Sequence, residues 1–318
     1  MNILVTGGLG FIGRHVVAQL LQRGHSVRIA DNQSKYTEVP KGVEFQKIDL
    51  TDYKQTRNAM KGMGGCINLA SKMGGIGYIH NEPATILEGS LRMFGSVFEA
   101  CRAENIKRIV HTSSSMVLER TTTFPSKETD VENIAPPRTT YGFAKLVGEY
   151  YCRASHEQHG VPFTLLRPFN TYGVNAYIHP EVGYSNVIPD LIRKIFLGGK
   201  LTILGNGQQT RSFTHVTDTA RAFVLAIEKP EAENEDFFIG SDQEISVLEL
   251  AKKLWLLCRK EESFSPVFVP GYVHDTQRRI PDISKARTLL GWEPTKDFDE
   301  GLAEVIDWIK TTHVDLHV

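Results

Sequence analysis

Cysteine is scarce in this chain of 318 residues: Cys66, Cys101, Cys152 and Cys258 are the whole complement, and no two stand at CxxC spacing. That scatter argues against a disulfide framework or a zinc site and for reduced thiols, so no metal is expected. Long apolar runs are missing too, since none approaches the roughly 20 residues that a bilayer requires. A strand predicted from Asn2 leaves no room for a signal peptide, and the expected location is the cytoplasm. Nor does charge of one sign dominate. Lysine and arginine number 36 against 37 aspartates and glutamates, so neither nucleic acid nor a membrane surface is an expected partner. Repeats and low-complexity linkers are also lacking. What is present, with 41% hydrophobic residues, suits a globular protein with a full core, as one large domain or two interlocked ones.

The first half alternates short apolar runs with longer amphipathic ones, the pattern of β-α-β units around a parallel sheet. "NILVTG", "HSVRIAD", "VEFQKIDL", "GGCINLA", "IKRIVHTSSS" and "VPFTLLRPFNTYG" read as six strands. Helical spacing runs from Phe11 to Arg23, with Gly24 placed to cap it, and helices are predicted near 52–61, 83–104 and 139–158. Right-handed crossovers in this order give an α/β fold of Rossmann type, a doubly wound parallel sheet with its site at the strands' carboxyl ends. After Arg167 the alternation loosens into helices and isolated strands. The expected division is a dinucleotide-binding domain over 1–167, to which the chain returns near 212–230, and a smaller α/β substrate domain over most of 168–318.

Gly7, Gly10 and Gly13 follow the first strand at three-residue spacing and open the first helix. Such a loop lets the backbone N–H groups of Gly10, Phe11, Ile12 and Gly13 approach a pyrophosphate at a helix N-terminus. The second strand ends in Asp31, followed by Asn32, where a carboxylate accepts from both ribose hydroxyls and repels a 2′-phosphate. NAD is therefore expected rather than NADP. Asp49, with Leu50 behind it, meets the adenine amino group or serves as a plain turn residue. Leu69, Ala70 and Ser71, at the end of the fourth strand, are expected along the pyrophosphate.

In "TTYGFAKLVGEYY", Tyr141 and Lys145 stand four apart on one helix face. A neighbouring ammonium and a positive nicotinamide ring would stabilise a phenolate, making Tyr141 a candidate base and leaving Lys145 to hold the nicotinamide ribose as well. "HTSSSMVLE" puts three serines at a strand's carboxyl end, where one can hydrogen-bond the reacting hydroxyl. Taken singly, these residues read equally well as a polar strand exit and an amphipathic helix surface. Behind a cofactor loop they favour chemistry.

The set TGGLGFIG, Asp31, SSSMV, YGFAK and "RPFNTYG", with "GNGQQTRSFTHVTDTARA" and "RRIPDISKARTLLGWEP", resembles the extended short-chain dehydrogenase/reductase family over almost the whole chain, and within it the nucleotide-sugar epimerases and dehydratases. The resemblance implies Ser114 as the substrate-binding serine, Tyr141 as base and Lys145 as its helper. It also implies that Asn170 and Arg211 contact the pyrophosphate of the sugar nucleotide, that Asn186 contacts the nucleotide, and that the protein is a homodimer built on the helix from about 84 to 103 and the Tyr141 helix. "NLASKMGGIGYI" resembles the GDP-mannose 3,5-epimerases, whose glycine-rich loop, here around Gly75, lies over the sugar.

These relatives all begin by oxidising C4 of the sugar to a ketone. They differ in what stands after the catalytic serine: an acid/base pair for dehydration, a glutamate for decarboxylation, a cysteine for 3,5-epimerisation. Here Ser115 and Met116 stand there, and a thioether cannot take a proton from C5. C4 epimerisation needs no such group, so a UDP-glucose 4-epimerase-like activity on a UDP-sugar, of hexose or uronate type, is the first expectation. A GDP-sugar 3,5-epimerase or a 4,6-dehydratase is the alternative, and a non-catalytic NAD-binding regulator the reading from outside. Leu118 and Glu119 depart from the usual Tyr-Gly, and Tyr272 stands where many 4-epimerases carry a pyrophosphate-binding arginine. Arg278 or Arg279 is expected to supply that charge. Arg279 falls near the wall of the sugar pocket, facing either pyrophosphate and solvent or a C6 carboxylate.

Overall fold

A computed structural model of the chain describes residues 1–179, 183–198, 200–258, 263–273 and 275–312. The doubly wound sheet has seven parallel strands in the order β7-β6-β5-β4-β1-β2-β3. They are β1 (Asn2–Thr6), β2 (Ser26–Asp31), β3 (Glu44–Lys47), β4 (Gly65–Asn68), β5 (Ile109–Thr112), β6 (Phe163–Pro168) and β7 (Glu235–Ile239). The helices are α1 (Phe11–Gln22), α2 (Tyr53–Met60), α3 (Ile76–Asn81), α4 (Pro83–Ala103), α5 (Thr140–His159), α6 (Val187–Leu197), α7 (Val216–Glu228), α8 (Val247–Cys258) and α9 (Phe298–Thr312). Among the described residues no helix is long and apolar enough to cross a membrane.

Every residue of β4 and β5 is buried, because helices cover both faces of a parallel sheet. Val16, Val17 and Leu20 of α1 meet Phe223 and Ile227 of α7 on one face. Phe94, Val97 and Phe98 of α4 pack with Cys152 of α5 on the other, where Cys66, Cys101 and Cys152 are free thiols acting as small apolar side chains. A third core joins α6, α8 and α9 through Ile192, Leu254 and Ile306.

Neighbours of β1 lead to opposite faces, so the carboxyl ends of β1 and β4 part and leave a crevice. A buried polar seam fixes those ends: Thr6 Oγ1 donates to Asn68 Oδ1 at 2.6 Å, and Asn68 Nδ2 lies 3.0 Å from His111 Nδ1.

Several strands are shorter than their letters suggest. The third spans only Glu44–Lys47, the fifth stops at Thr112 ahead of the serines, and the sixth breaks after Pro168, where Asn170 takes a positive φ of 31°. The return of the chain to the sheet also reaches past the expected 212–230. After α7, β7 pairs with β6 from Glu235↔Thr164 to Ile239↔Pro168, and Ile283, Leu290 and Trp292 join the core beside α1 and α7.

One buried ion network binds α5 to the sheet. Glu149 accepts from Arg167 Nε and Nη2, each at 2.7 Å, and from the Ser113 hydroxyl. Arg167 Nη1 lies 2.8 Å from Asp236 of β7, and Lys285 donates to the same carboxylate at 2.7 Å. Burial works to raise the Asp236 carboxyl, but Arg167 and Lys285 outweigh it and hold it down at about 2. Removing one partner leaves a buried charge, so Glu149→Leu should cost about 3–5 kcal/mol in urea unfolding at pH 7, and adding Arg167→Met should restore much of that loss. The part contributed by Asp236 is complete above its unfolded value of about 4 and is lost as pH falls toward 2, which acid titration of the unfolding midpoint will measure.

Candidate active site

The glycine turn is built by close approach. Gly7 has φ +66°, and a Cβ there would stand 2.9 Å from the Ala70 backbone. A Cβ on Gly13 would strike the Gly7 carbonyl, so α1 can pack this tightly on β1 only with glycine. Gly10 is the N-cap of α1 and offers no side-chain cap, leaving the first N–H groups of the helix, those of Phe11 and Ile12 among them, open to an anion. Asp31 is fixed by the loop itself: Leu9 N–H donates to one carboxylate oxygen at 3.2 Å and Gln33 N–H to the other at 2.8 Å. Asn32 caps the next turn through Ser34 N–H at 3.0 Å. Leu69 and Ala70 lie half-buried at the end of β4, and the Ser71 hydroxyl is buried without a hydrogen-bond partner. An orphaned hydroxyl, an open helix N-terminus and a placed carboxylate around one crevice fit a dinucleotide. Asp49 differs from this set. It is exposed, and its carboxylate accepts from Thr51 N–H and hydroxyl at 2.9 Å, as a turn aspartate does, while Leu50 is buried behind it.

Ser114, Tyr141 and Lys145 come together at the carboxyl end of β5. Thr139 caps α5, its hydroxyl accepting from Gly142 N–H at 3.2 Å, which sets Tyr141 and Lys145 in the first turns of the helix. Lys145 Nζ donates to the Thr112 carbonyl at 2.8 Å and lies 5.9 Å from the Tyr141 ring centroid. Burial lowers Lys145 to about 8, against the opposing pull of Glu149. Burial raises the Tyr141 phenol, while Ser114, as hydrogen-bonding neighbour, and Arg279, as nearby charge, pull it back. Arg279 is thus a second cation near the phenol, in addition to Lys145 on the helix of Tyr141 itself.

The two adjacent arginines diverge. Arg278 is exposed and holds Glu244 with two bonds of 2.8 Å. Arg279 is buried, donates to Thr276 at 2.9 Å and keeps a buried Nε without a partner. Burial lowers it to about 9, Arg211 adds to that, and Asp275, Glu119 and Tyr141 oppose it. Arg211 pairs with Asp275 at 2.9 Å. Asn170 uses its amide on the Ser212 carbonyl at 2.8 Å, and Asn186, exposed, is the N-cap of α6. Gly75 is pressed against the chain opposite, its N–H bonded to the Tyr184 carbonyl at 2.7 Å.

Two residues near the phenol carry no assignment from the sequence. Met73 places its sulfur 3.3 Å from the Tyr141 hydroxyl, and Glu119 accepts from Thr139 N–H and hydroxyl at 3.0 and 2.8 Å, steadying the start of α5. Glu119 stands out in the sequence as a departure after the serine motif. Met73 belongs to the glycine-rich stretch "NLASKMGGIGYI", but nothing in the letters singles it out within that stretch.

A sequence model of the NAD dependent epimerase/dehydratase family matches residues 3–240. The chain is 29% identical to a UDP-N-acetyl-alpha-D-glucosaminuronate decarboxylase of Bacillus cytotoxicus, over 96% of this chain and 97% of that one. It is 31% identical to a putative UDP-glucose 4-epimerase of Methanocaldococcus jannaschii, over 98% and 99%. In fold it is similar to a UDP-glucuronic acid 4-epimerase from Bacillus cereus solved with UDP-glucuronic acid and NAD, with a TM-score of 0.86 and 27% identity over 98% and 99% of the two chains.

The state of Lys145 is testable without any substrate. A lysine held at about 8 in the folded chain and near 10.4 when unfolded binds fewer protons folded than unfolded between those values. The stability of the native chain relative to Lys145→Met should therefore rise from pH 8 to pH 10, as urea unfolding at both pH values will measure.

Proposed function

We propose that this chain, which belongs to the NAD dependent epimerase/dehydratase family, inverts C4 of a UDP-sugar. The observation that carries the reading is Met116, half-buried on the serine turn, where dehydrating, decarboxylating and 3,5-epimerising relatives place a proton-transfer group. Its backbone N–H donates to Ser114 at 3.1 Å, and its thioether offers no proton and takes none.

NAD is the cofactor and, when bound, supplies the hydride acceptor for C4. Gly7, Gly10, Gly13 and the first turn of α1 would hold its pyrophosphate, Asp31 its adenosine ribose, and Lys145 its nicotinamide ribose. Ser114 holds the C4 hydroxyl, and Tyr141 takes that proton as C4 becomes a ketone. The keto sugar turns over, and Tyr141 gives the proton back to the oxygen when C4 is reduced from the other face. Asn170 and Arg211 are assigned to the pyrophosphate of the substrate and Asn186 to its nucleotide. UDP is favoured over GDP by the sugar nucleotides named for most of the relatives, a GDP-mannose 3,5-epimerase being an exception among them.

A second reading follows from Arg279. A buried guanidinium with an unpartnered Nε beside the phenol suits a C6 carboxylate, so a UDP-uronate is a candidate substrate. Oxidation at C4 makes a uronate a β-keto acid that readily loses carbon dioxide, after which C5 must be protonated. Met116 cannot provide that proton, which favours epimerisation of the uronate over decarboxylation.

UDP-glucose and UDP-glucuronic acid carrying deuterium at C4 should keep the label in the 4-epimer, with no solvent deuterium at C5 and no carbon dioxide, and Tyr141→Phe should slow turnover by about 10² to 10⁴. Solvent label at C3 or C5, or release of carbon dioxide, would replace C4 inversion with one of the other reactions. We further propose a homodimer on α4 and α5: Phe143, Val147 and Tyr150 form an outward stripe at helical spacing, with Phe143 39% and Tyr150 67% exposed. Sedimentation at micromolar concentration should give twice the mass of the chain, and Tyr150→Glu should shift it toward the monomer.

A further inference from the structure

The loop between β4 and α3 crosses the mouth of the site with an uneven grip. Past Met73 its backbone is clamped: Gly75 N–H donates to the Tyr184 carbonyl at 2.7 Å and Gly77 N–H to the Gly183 carbonyl at 2.8 Å. A Cβ on Gly75 would strike the carbonyls of Ser185 and Gly183, and one on Gly74 would stand 2.6 Å from Tyr78, so these glycines permit the clamp. Met73 itself is tied differently. Its carbonyl accepts from Lys35 Nζ at 2.5 Å, and Lys35, which follows Asp31 on the cofactor side, lies 4.8 Å over the Tyr177 ring.

The side chain of Met73 meets the buried phenol, with Sδ 3.3 Å from the Tyr141 hydroxyl. A base must come within about 2.6–3.2 Å of the proton's oxygen in a productive complex. Sulfur and a sugar hydroxyl cannot both hold that place. A thioether is a weak acceptor on an unbranched side chain with three rotatable bonds, so it gives way to a hydroxyl by rotation, without moving the clamped backbone.

We propose that Met73 is a positioning residue displaced by substrate: its thioether occupies the place at Tyr141 that the reacting hydroxyl takes, and the incoming sugar turns it aside against the hold of Lys35. The proposal rests on reading Tyr141 as the base. While Met73 is in place, the hydrogen bond it accepts favours the neutral phenol, and its departure exposes the oxygen to the hydroxyl and to the fields of Arg279 and of Lys145 on the same helix. Ser114, from the end of β5, is the other hydrogen-bonding neighbour.

The full chain loaded with NAD is compared with Met73→Ala, which removes the side chain, and Met73→Leu, which keeps its bulk without the acceptor. Ultraviolet absorbance at pH 10, each protein referenced to its Tyr141→Phe counterpart, should show more Tyr141 phenolate in both variants and most in alanine. By calorimetry, Met73→Ala should bind UDP-glucose about 3- to 10-fold more tightly, as expected if the blocking rotamer is populated most of the time, while free UDP binds equally and Met73→Leu gains nothing. An unchanged phenolate fraction, or UDP-glucose affinity unchanged or weakened in Met73→Ala, overturns the proposal. Should UDP-glucose not bind the native protein, the absorbance alone decides. That measurement needs no substrate, so it stands apart from the base assignment, which fails instead if Tyr141→Phe keeps its turnover.

Discussion

The bidentate pair between Glu149 and Arg167 is the contact on which the site depends. Glu149 stands one turn beyond Lys145 on α5, and Arg167 lies in β6, so the pair fixes the rotation and height of the helix over the sheet. Tyr141 and Lys145 take their positions from that register. Two fully desolvated charges are costly unless each is matched, and here the matching is shared: Asp236 and Lys285 complete Arg167, and Ser113 completes Glu149. The serine turn and Tyr141 are thereby referred to the same anchor, since Ser113 is the immediate neighbour of Ser114.

Electrostatics around the phenol follow from burial more than from any one partner. Lys145 and Arg279 are both held below their ordinary values because water is excluded, and Tyr141 is held above its own. An anion or a developing negative charge entering such a pocket meets cations with little solvent to screen them. The two arginines of "RRIP" show how local the effect is: Arg278 lies on Glu244 in solvent, and its neighbour is buried near Tyr141.

Much of the fold is legible because its rules are local. A buried parallel strand is mostly apolar, as β4 and β5 are up to the polar residues at their carboxyl ends, and Gly7, Gly13 and Asp31 occupy places where other side chains collide or lack the acceptor. The family resemblance rests on those same letters. What escaped the sequence depends on distance through space. Asp49 is an acidic residue at a strand end like Asp31, and only the structure shows that Thr51 takes its carboxylate. The separate orientations of Arg278 and Arg279 come from the partners Glu244 and Thr276. β7 is a short run far along the chain, and its place beside β6 is set by Asp236 meeting Arg167. Met73 lies in "NLASKMGGIGYI", whose likeness to a loop over the sugar marks the segment, but its contact with Tyr141 is seen only in space.

The late arrival of β7 has a consequence for biosynthesis. Arg167 and Asp236 lie 69 residues apart, which at ribosomal speeds is an interval of about 3 to 14 s. Through that interval the nascent sheet has α5 and six of its seven strands, while Arg167 lacks one of its two carboxylates and the outer edge of β6 is unpaired. A growing chain in this condition presents an open strand edge, which closes only when the last strand of the sheet has left the ribosome.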